Sequence, residues 1–231
     1  IVGWNIGLVD SVRLTLDTMP AWEGENPSDP ISNQGLKPMY RDSARKYYLN
    51  NRVFINHPDL IFFRAHHDTS IPPLTLNESQ TFATSVALQG GLVKIGDRIV
   101  DLQPDWVDSL RKIIPVHQGF SRPLDLFERR LPSLWHMHCK NAADEWDVVG
   151  LFNFEDQAQS RTVEFSALGL APDATAAVFE FWEGRFLGLK QRSATVNLPP
   201  CSSRILILRR PSGRPQVLAT DMHVLGGYHE V

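Results

Sequence analysis

The first half of the chain alternates short apolar runs with amphipathic stretches, and this alternation constrains the fold more than any other feature. Residues 12–16 are β-branched and alternating, which predicts a strand that ends on Asp17. Residues 41–51 read as a helix, with Tyr40, Ala44, Tyr47 and Tyr48 on one face and Asn50-Asn51 as its stop. Residues 60–64 form a continuous apolar run closed by Arg64, the pattern of a strand buried on both faces. Thr75-Leu76-Asn77-Glu78 is a capping box that opens a second helix through Phe82 and Val86, and Gly90-Gly91 stops it. A strand over 92–95 follows. Pro104 then opens a third helix, buried through Trp106, Val107, Leu110, Ile113 and Ile114. About three βα units in succession predict a parallel sheet or part of a (β/α)8 barrel. Each strand carries ionisable groups at its C-terminal end: Asp17, then Arg64 with Asp68, then Asp97. In a barrel that rim is where active sites are built. Three strands cannot close a barrel, so the missing strands are expected upstream of Ile1. The opening Ile1-Val2-Gly3-Trp4-Asn5 has no initiator Met and no basic leader, and reads as the interior of a longer polypeptide.

The second half has another texture. Residues 121–140 read as a basic, proline-bearing connection with a short helix near 124–130. From there, short runs at 148–154, 161–167, 176–182, 185–190, 195–198, 204–208 and 216–219 alternate with turn residues. That pattern predicts an antiparallel β-sandwich. The expected division is therefore residues 1–140, the C-terminal part of a (β/α)8 barrel, and residues 141–231, the sandwich. Phe179, Phe181 and Trp182 are expected in its core. A net charge of -3, without a lysine- or arginine-rich run, argues against nucleic acid as a partner. The apolar runs are too short to span a membrane. Two cysteines, Cys139 and Cys201, imply no disulfide framework.

Asp17 has two readings, a turn former and a proton donor at the mouth of a barrel. Trp22 reads as an apolar platform for a sugar ring or as a loop anchor, and Trp4 as part of the barrel wall. Arg64 and Asp68 are placed to reach substrate hydroxyls or to pair at the rim. Asp97 is a lesser candidate for the site wall, and Asn56 and Asp59 read as structural or as supports behind the residues that touch substrate. His66-His67-Asp68 and His136-x-His138-Cys139 resemble metal ligands. Adjacent histidines alternate faces on an extended chain, however, and no second ligand pair accompanies His136 and His138. No metal or cofactor is expected.

Taken in order, Arg13-x-x-x-Asp17, Asn56-x-Pro58-Asp59, Leu74-Thr-Leu-Asn-Glu78 and Ala87-Leu-x-Gly-Gly91 with Gly96-Asp97 resemble the retaining α-galactosidase and melibiase clan of glycoside hydrolases. The ending is similar too: Arg204-Ile-Leu-Ile-Leu-Arg209, then Arg214-Pro-Gln-Val-Leu-Ala-Thr-Asp221-x-His223. The resemblance implies a (β/α)8 barrel followed by an antiparallel β-sandwich, with Asp17 as acid/base at the end of the sixth barrel strand. Arg13 would bind sugar or orient a carboxylate. The family's nucleophilic Asp stands in a Lys-x-Asp pattern at the end of the fourth strand. Nothing upstream of Asp17 here matches it, so the resemblance implies that the nucleophile belongs to residues preceding this chain. The implied partners are an α-galactoside substrate and the upstream part of the same barrel, and the isolated chain is expected to be inactive. Retaining chemistry needs carboxyl groups about 5–5.5 Å apart, with Asp17 partly buried and protonated beside the anionic nucleophile. A raffinose-synthase-type transglycosidase would use the same pair. A noncatalytic sugar-binding or structural role would use neither.

Overall fold

The computed structural model describes residues 2–29, 31–117, 119–142 and 144–227. Its first part consists of β1 (Ser11–Arg13), α1 (Leu36–Ala44), β2 (Ile55–His57), β3 (Leu60–Ile61), α2 (Leu76–Gln89), β4 (Lys94–Ile95) and α3 (Pro104–Arg111). β1 runs parallel to β2, and β3 parallel to β4. Pro58-Asp59 breaks what would be one strand into β2 and β3, with Asp59 at φ 81. Further backbone bonds extend the array: Leu14 N–H donates to His57 O, Leu92 N–H to Asn56 O, and Gly96 N–H to Ile61 O. Three parallel segments thus lie side by side, connected by helical crossovers. Gly91 permits this approach, because a Cβ there would meet the Asn56 carbonyl oxygen at 2.1 Å.

α2 begins and ends as its sequence predicts. Thr75 Oγ1 accepts the Glu78 N–H, Glu78 reaches back to the Thr75 N–H, and Gly90 closes the helix in the left-handed region at φ 67. α1 differs from expectation. It starts at Leu36 and gives way to a 3₁₀ turn at Tyr47–Leu49. That tighter turn rotates Tyr48 out of the buried stripe, leaving it 50% exposed while Tyr40 and Ala44 are buried. Trp4 lies in a 3₁₀ turn and is 85% exposed rather than set into a wall.

The second part is β5 (Ser121–Pro123), β6 (Leu134–Lys140), β7 (Glu145–Asn153), β8 (Gln159–Glu164), β9 (Thr175–Glu180), β10 (Arg185–Gln191), β11 (Ser193–Leu198) and β12 (Ser202–Arg209). Six of these form an antiparallel sheet in the order β10-β9-β12-β7-β6-β5, and β8 pairs with β11. Residues 121–140 are therefore not a connection: they supply β5 and β6, and pairing begins upstream of the change expected near residue 140. Pro123 fits because β5 is the sheet's edge strand. The expected helix near 124–130 is a turn instead. Asp125 holds it, accepting from the Ser133 N–H, the Ser133 hydroxyl and the Leu134 N–H. The expected strand at 216–219 has no sheet partner among the described residues. Its Leu218 carbonyl accepts from Arg209.

The larger sheet is covered on both faces. One face packs Val149, Leu151, Val178 and Leu206 against Val163, Ala194 and Val196 of the β8–β11 pair. The other packs Trp135, Met137, Val148, Phe152 and Ile207 against Met39 and Tyr40 of α1, Phe82, Val86 and Leu88 of α2, and Leu110 beside Ile113 in α3's wake. A sheet buried on both sides explains the apolar stretches 148–152 of β7 and 205–208 of β12, where successive residues on opposite faces are both buried. Across the second face the α/β part and the sandwich share one core.

Candidate active site

The segment after β1 is pinned to the break between β2 and β3. Thr15 Oγ1 and Thr18 Oγ1 both donate to the Pro58 carbonyl, at 3.1 and 3.4 Å. The Thr18 N–H donates to Asp59 Oδ2 at 2.8 Å. These bonds flank Asp17 on both sides and fix its backbone at the C-terminal end of the parallel array. Arg13, the last residue of β1, donates through its guanidinium to Asp17 Oδ1 at 2.5 Å and lies 3.5 Å from Asp59 Oδ1. One cation thus serves two carboxylates. The Asp17 hydrogen bond is the largest influence on Arg13, and with Asp59 it outweighs burial and holds the guanidinium above its ordinary value.

The Asp17 side chain is half exposed in this chain, at 52%. Bound to Arg13 it accepts a hydrogen bond, whereas an acid catalyst must donate one. Exposed ion pairs of this kind are worth only about 0.2–1 kcal/mol, so the contact can open without a large cost. Asp59 holds the Thr18 N–H and the Arg13 guanidinium, the supporting kind of part that the sequence reading gives it. It is the only carboxylate besides Asp17 paired with Arg13 among the described residues. The available signal was its position: a Pro-Asp break between parallel strands lies at the rim beside the neighbouring strand's end.

The other expected site residues are distributed differently. Arg64 pairs with Asp97 at 3.7 Å and lies over the Phe62 ring at 4.9 Å, so of the two readings the ion pair is the one present, and its partner is not Asp68. Asp97 is buried and structural: its Oδ2 accepts the Phe63 N–H at 2.6 Å and clasps the exit of β3 to the end of β4. Asp68 closes a turn onto the Ser70 N–H and hydroxyl, which hold its carboxyl below the ordinary range. Trp22 is partly buried and stacks on Phe154 with ring centroids 6.0 Å apart, the contact that the loop-anchor reading requires. A cavity of about 530 Å³ lined by Leu8, Asp10, Asn51 and Ile55 opens near the N-terminal ends of β1 and β2, away from the Asp17 rim.

Glu25, His66 and His67 bring three potential ligand atoms within 4.8 Å of one another. His66 Nδ1 accepts the Asp68 N–H at 2.9 Å, which leaves Nε2 to carry the ring proton of the neutral form and present it to Glu25 Oε1 at 2.6 Å. Metal-bound histidines instead donate from their second nitrogen. As built, the cluster is a hydrogen bond linking the loop after β1 to the loop after β3. His136 and His138 both lie against Asp147 Oδ1, at 2.8 and 3.1 Å, which places a carboxylate oxygen between the two rings.

Residues 134–208 match the profile of the alpha galactosidase C-terminal beta sandwich domain. No curated protein matches by sequence. Alpha-galactosidase I from Mortierella vinacea superposes with a TM-score of 0.69 at 14% identity, over 87% of this chain and 53% of that one. The GH27 β-L-arabinopyranosidase from Geobacillus stearothermophilus gives 0.69 at 17%, over 90% and 46%. An alpha-galactosidase from Saccharomyces cerevisiae gives 0.64 at 10%, over 89% and 60%. The chain spans about half the length of the solved structures it matches. Profile and fold agree with the motif resemblance: the chain is similar to the C-terminal region of α-galactosidase-family glycosidases. At these identities the structural likeness is one of fold.

Proposed function

We propose that this chain is the C-terminal part of a retaining α-glycosidase that removes terminal α-galactosyl groups. Residues up to about 120 would be the last βα units of its catalytic barrel, and the strands from β5 onward its sandwich. The observation that carries the reading is the Arg13–Asp17 pair at the C-terminal end of a parallel strand, the end at which such folds place their chemistry. Exposed apolar side chains beside that strand, among them Leu8, Leu16 and Ile55, also favour further barrel packed there.

In this mechanism a nucleophilic carboxylate from the upstream part of the same barrel attacks the anomeric carbon. Asp17 gives its proton to the leaving oxygen, then takes one from the water that releases the sugar. Arg13 gives up one of its two partners as substrate binds. With Asp17 protonated and turned to the glycosidic oxygen, the guanidinium stays on Asp59, which keeps it from swinging into the site.

The test is Asp17→Ala in the complete polypeptide. Turnover of α-galactosides with poor leaving groups should fall by about 10²–10⁴-fold, the range of general acid–base catalysis. Activated aryl galactosides should suffer less, and azide should restore their turnover. Unchanged activity on both classes removes Asp17 from the mechanism. A complete polypeptide with no turnover of any α-glycoside would assign the region to a noncatalytic role.

A further inference from the structure

A second built recess lies far along the chain from Asp17, at the open end of the sandwich. β8 alternates, so Gln159, Arg161 and Val163 share its inward face, and Val163 is in the core. Arg161 therefore directs a cation inward from a face that elsewhere packs apolar side chains. It borders a cavity of about 290 Å³ whose other polar lining is Arg129, Arg130, Ser133, Asn153, Gln159 and one carboxylate, Glu155. The Arg161 Nε is buried and has no hydrogen-bond partner among the described residues. Nor does any described carboxylate form an ion pair with Arg161 or with Arg130. Arg129 does pair with Asp125, at 3.4 Å, but Asp125 is already engaged by Ser133 and Leu134. Burial, and then the charge on Arg129, hold the Arg161 guanidinium below its ordinary value, against the smaller opposing charges of Asp125 and Glu155.

A half-buried guanidinium whose buried Nε–H has no partner gains from an anion that supplies one. A planar fork of N–H donors is matched best by an oxyanion, which accepts two parallel hydrogen bonds and neutralises the charge. We propose that this cavity binds an oxyanion, with Arg161 and Arg130 as its two grips and Asn153 and Gln159 beside them. The cavity is large enough for a free inorganic anion or for the acidic group of one sugar unit. The inference does not depend on the role of Asp17.

The experiment is calorimetric titration of the protein with sodium sulfate, sodium galacturonate and neutral galactose, with total ionic strength held constant by sodium chloride. Saturable binding of sulfate or galacturonate with Kd below about 1 mM is expected, and none of galactose at the same level. Arg161→Gln and Arg130→Gln should each weaken it by at least about tenfold. Arg130 is exposed with no ion-pair partner among the described residues, so its variant keeps the fold if Arg161→Gln does not. Tighter binding of galacturonate than of sulfate would identify a sugar acid, and the reverse a free anion; both support the site. Absence of binding beyond chloride, or equal binding by the Arg130→Gln variant, would overturn the proposal.

Discussion

Tyr40→Phe tests whether the α/β part and the sandwich form one cooperative unit. Tyr40 sits in α1, fully buried, with its ring 5.2 Å from Phe152 and 4.6 Å from Phe154. Its hydroxyl is a relay between the two parts. The Trp135 indole N–H of β6 donates to it at 2.7 Å, and it donates in turn to the Pro132 carbonyl. Phenylalanine keeps the ring contacts and deletes the relay, leaving a buried N–H and a buried carbonyl without partners. Each such group costs about 1–3 kcal/mol, and partial relaxation brings the pair to about 2–4 kcal/mol. For a protein of ordinary stability that is a large fraction of the whole. Urea unfolding followed by tryptophan fluorescence and by far-UV circular dichroism should show one transition in both proteins. Its midpoint should be lower in the variant and its slope unchanged. Tyr48→Phe, at an exposed ring, should stay within about 0.5 kcal/mol of wild type. A Tyr40→Phe midpoint equal to wild type, or a biphasic curve in which only one phase moves, would refute the shared core.

Three further outcomes are expected. Gly91→Ala sets a Cβ 2.1 Å from the Asn56 carbonyl oxygen, an atom of the backbone that cannot step aside, and should cost about 1–3 kcal/mol in urea unfolding. Asp147 is pulled in two directions: burial pushes its carboxyl up, but hydrogen bonds from His136 and His138, with their charges, bring it net below its ordinary value of 3.8. Its contribution to stability is therefore present above about pH 4 and lost as pH falls through the lowered value. The stability gap between wild type and Asp147→Asn should narrow in acid, and a gap that widens there would contradict the assignment. Burial, followed by the charge on Asp147, pushes the Cys139 thiol up to about 12. Burial, followed by the charge on Glu78, pushes the Cys201 thiol up to about 11. At pH 8 thiol-disulfide reagents should modify the native protein at least about two orders of magnitude more slowly than the urea-unfolded chain.

Local signals with a steric or hydrogen-bonding mechanism were legible in the sequence. The Thr75–Glu78 box and the Gly90 stop define α2 to the residue, and Pro104 opens α3. The runs at 148–154 and 204–208 were legible as sandwich strands, although not as strands covered on both faces. What could not be read was set by distant partners. β6 alternates Trp135, Met137 and Cys139 against His136, His138 and Lys140, and of the polar set only His136 is buried, because Asp147 on the neighbouring strand gives it a partner that no local signal announces. The 124–130 segment has helix-forming residues, yet Asp125 takes the N–H groups of Ser133 and Leu134 and bends it into a turn. Trp22 could be read as a platform or an anchor because nothing local says that Phe154, far along the chain, will stack on it. For the site, Arg13 four residues before Asp17 could be read as a pair; the part played by Asp59 depended on a parallel neighbour that only the fold supplies.

That dependence gives the sandwich a part in holding the rim. The loop carrying Asp17 leaves β1, is tied near its start by Thr15 and Thr18 to Pro58 and Asp59, and is tied farther on by Trp22 to Phe154 just beyond β7. Glu25 then fastens it to His66 in the next rim loop. α1, into which the loop runs, and α2, which follows the His66 loop, both rest on the six-stranded sheet. The Trp182 indole N–H, at the end of β9, donates to Thr84 of α2 at 2.9 Å. Each rim loop is therefore held at its strand end by the parallel array and at its helix end by the sheet. The sheet is then the floor against which the helices are positioned, and loosening it at Tyr40–Trp135 or Trp182–Thr84 should disturb the Asp17 loop although neither pair lies at the rim.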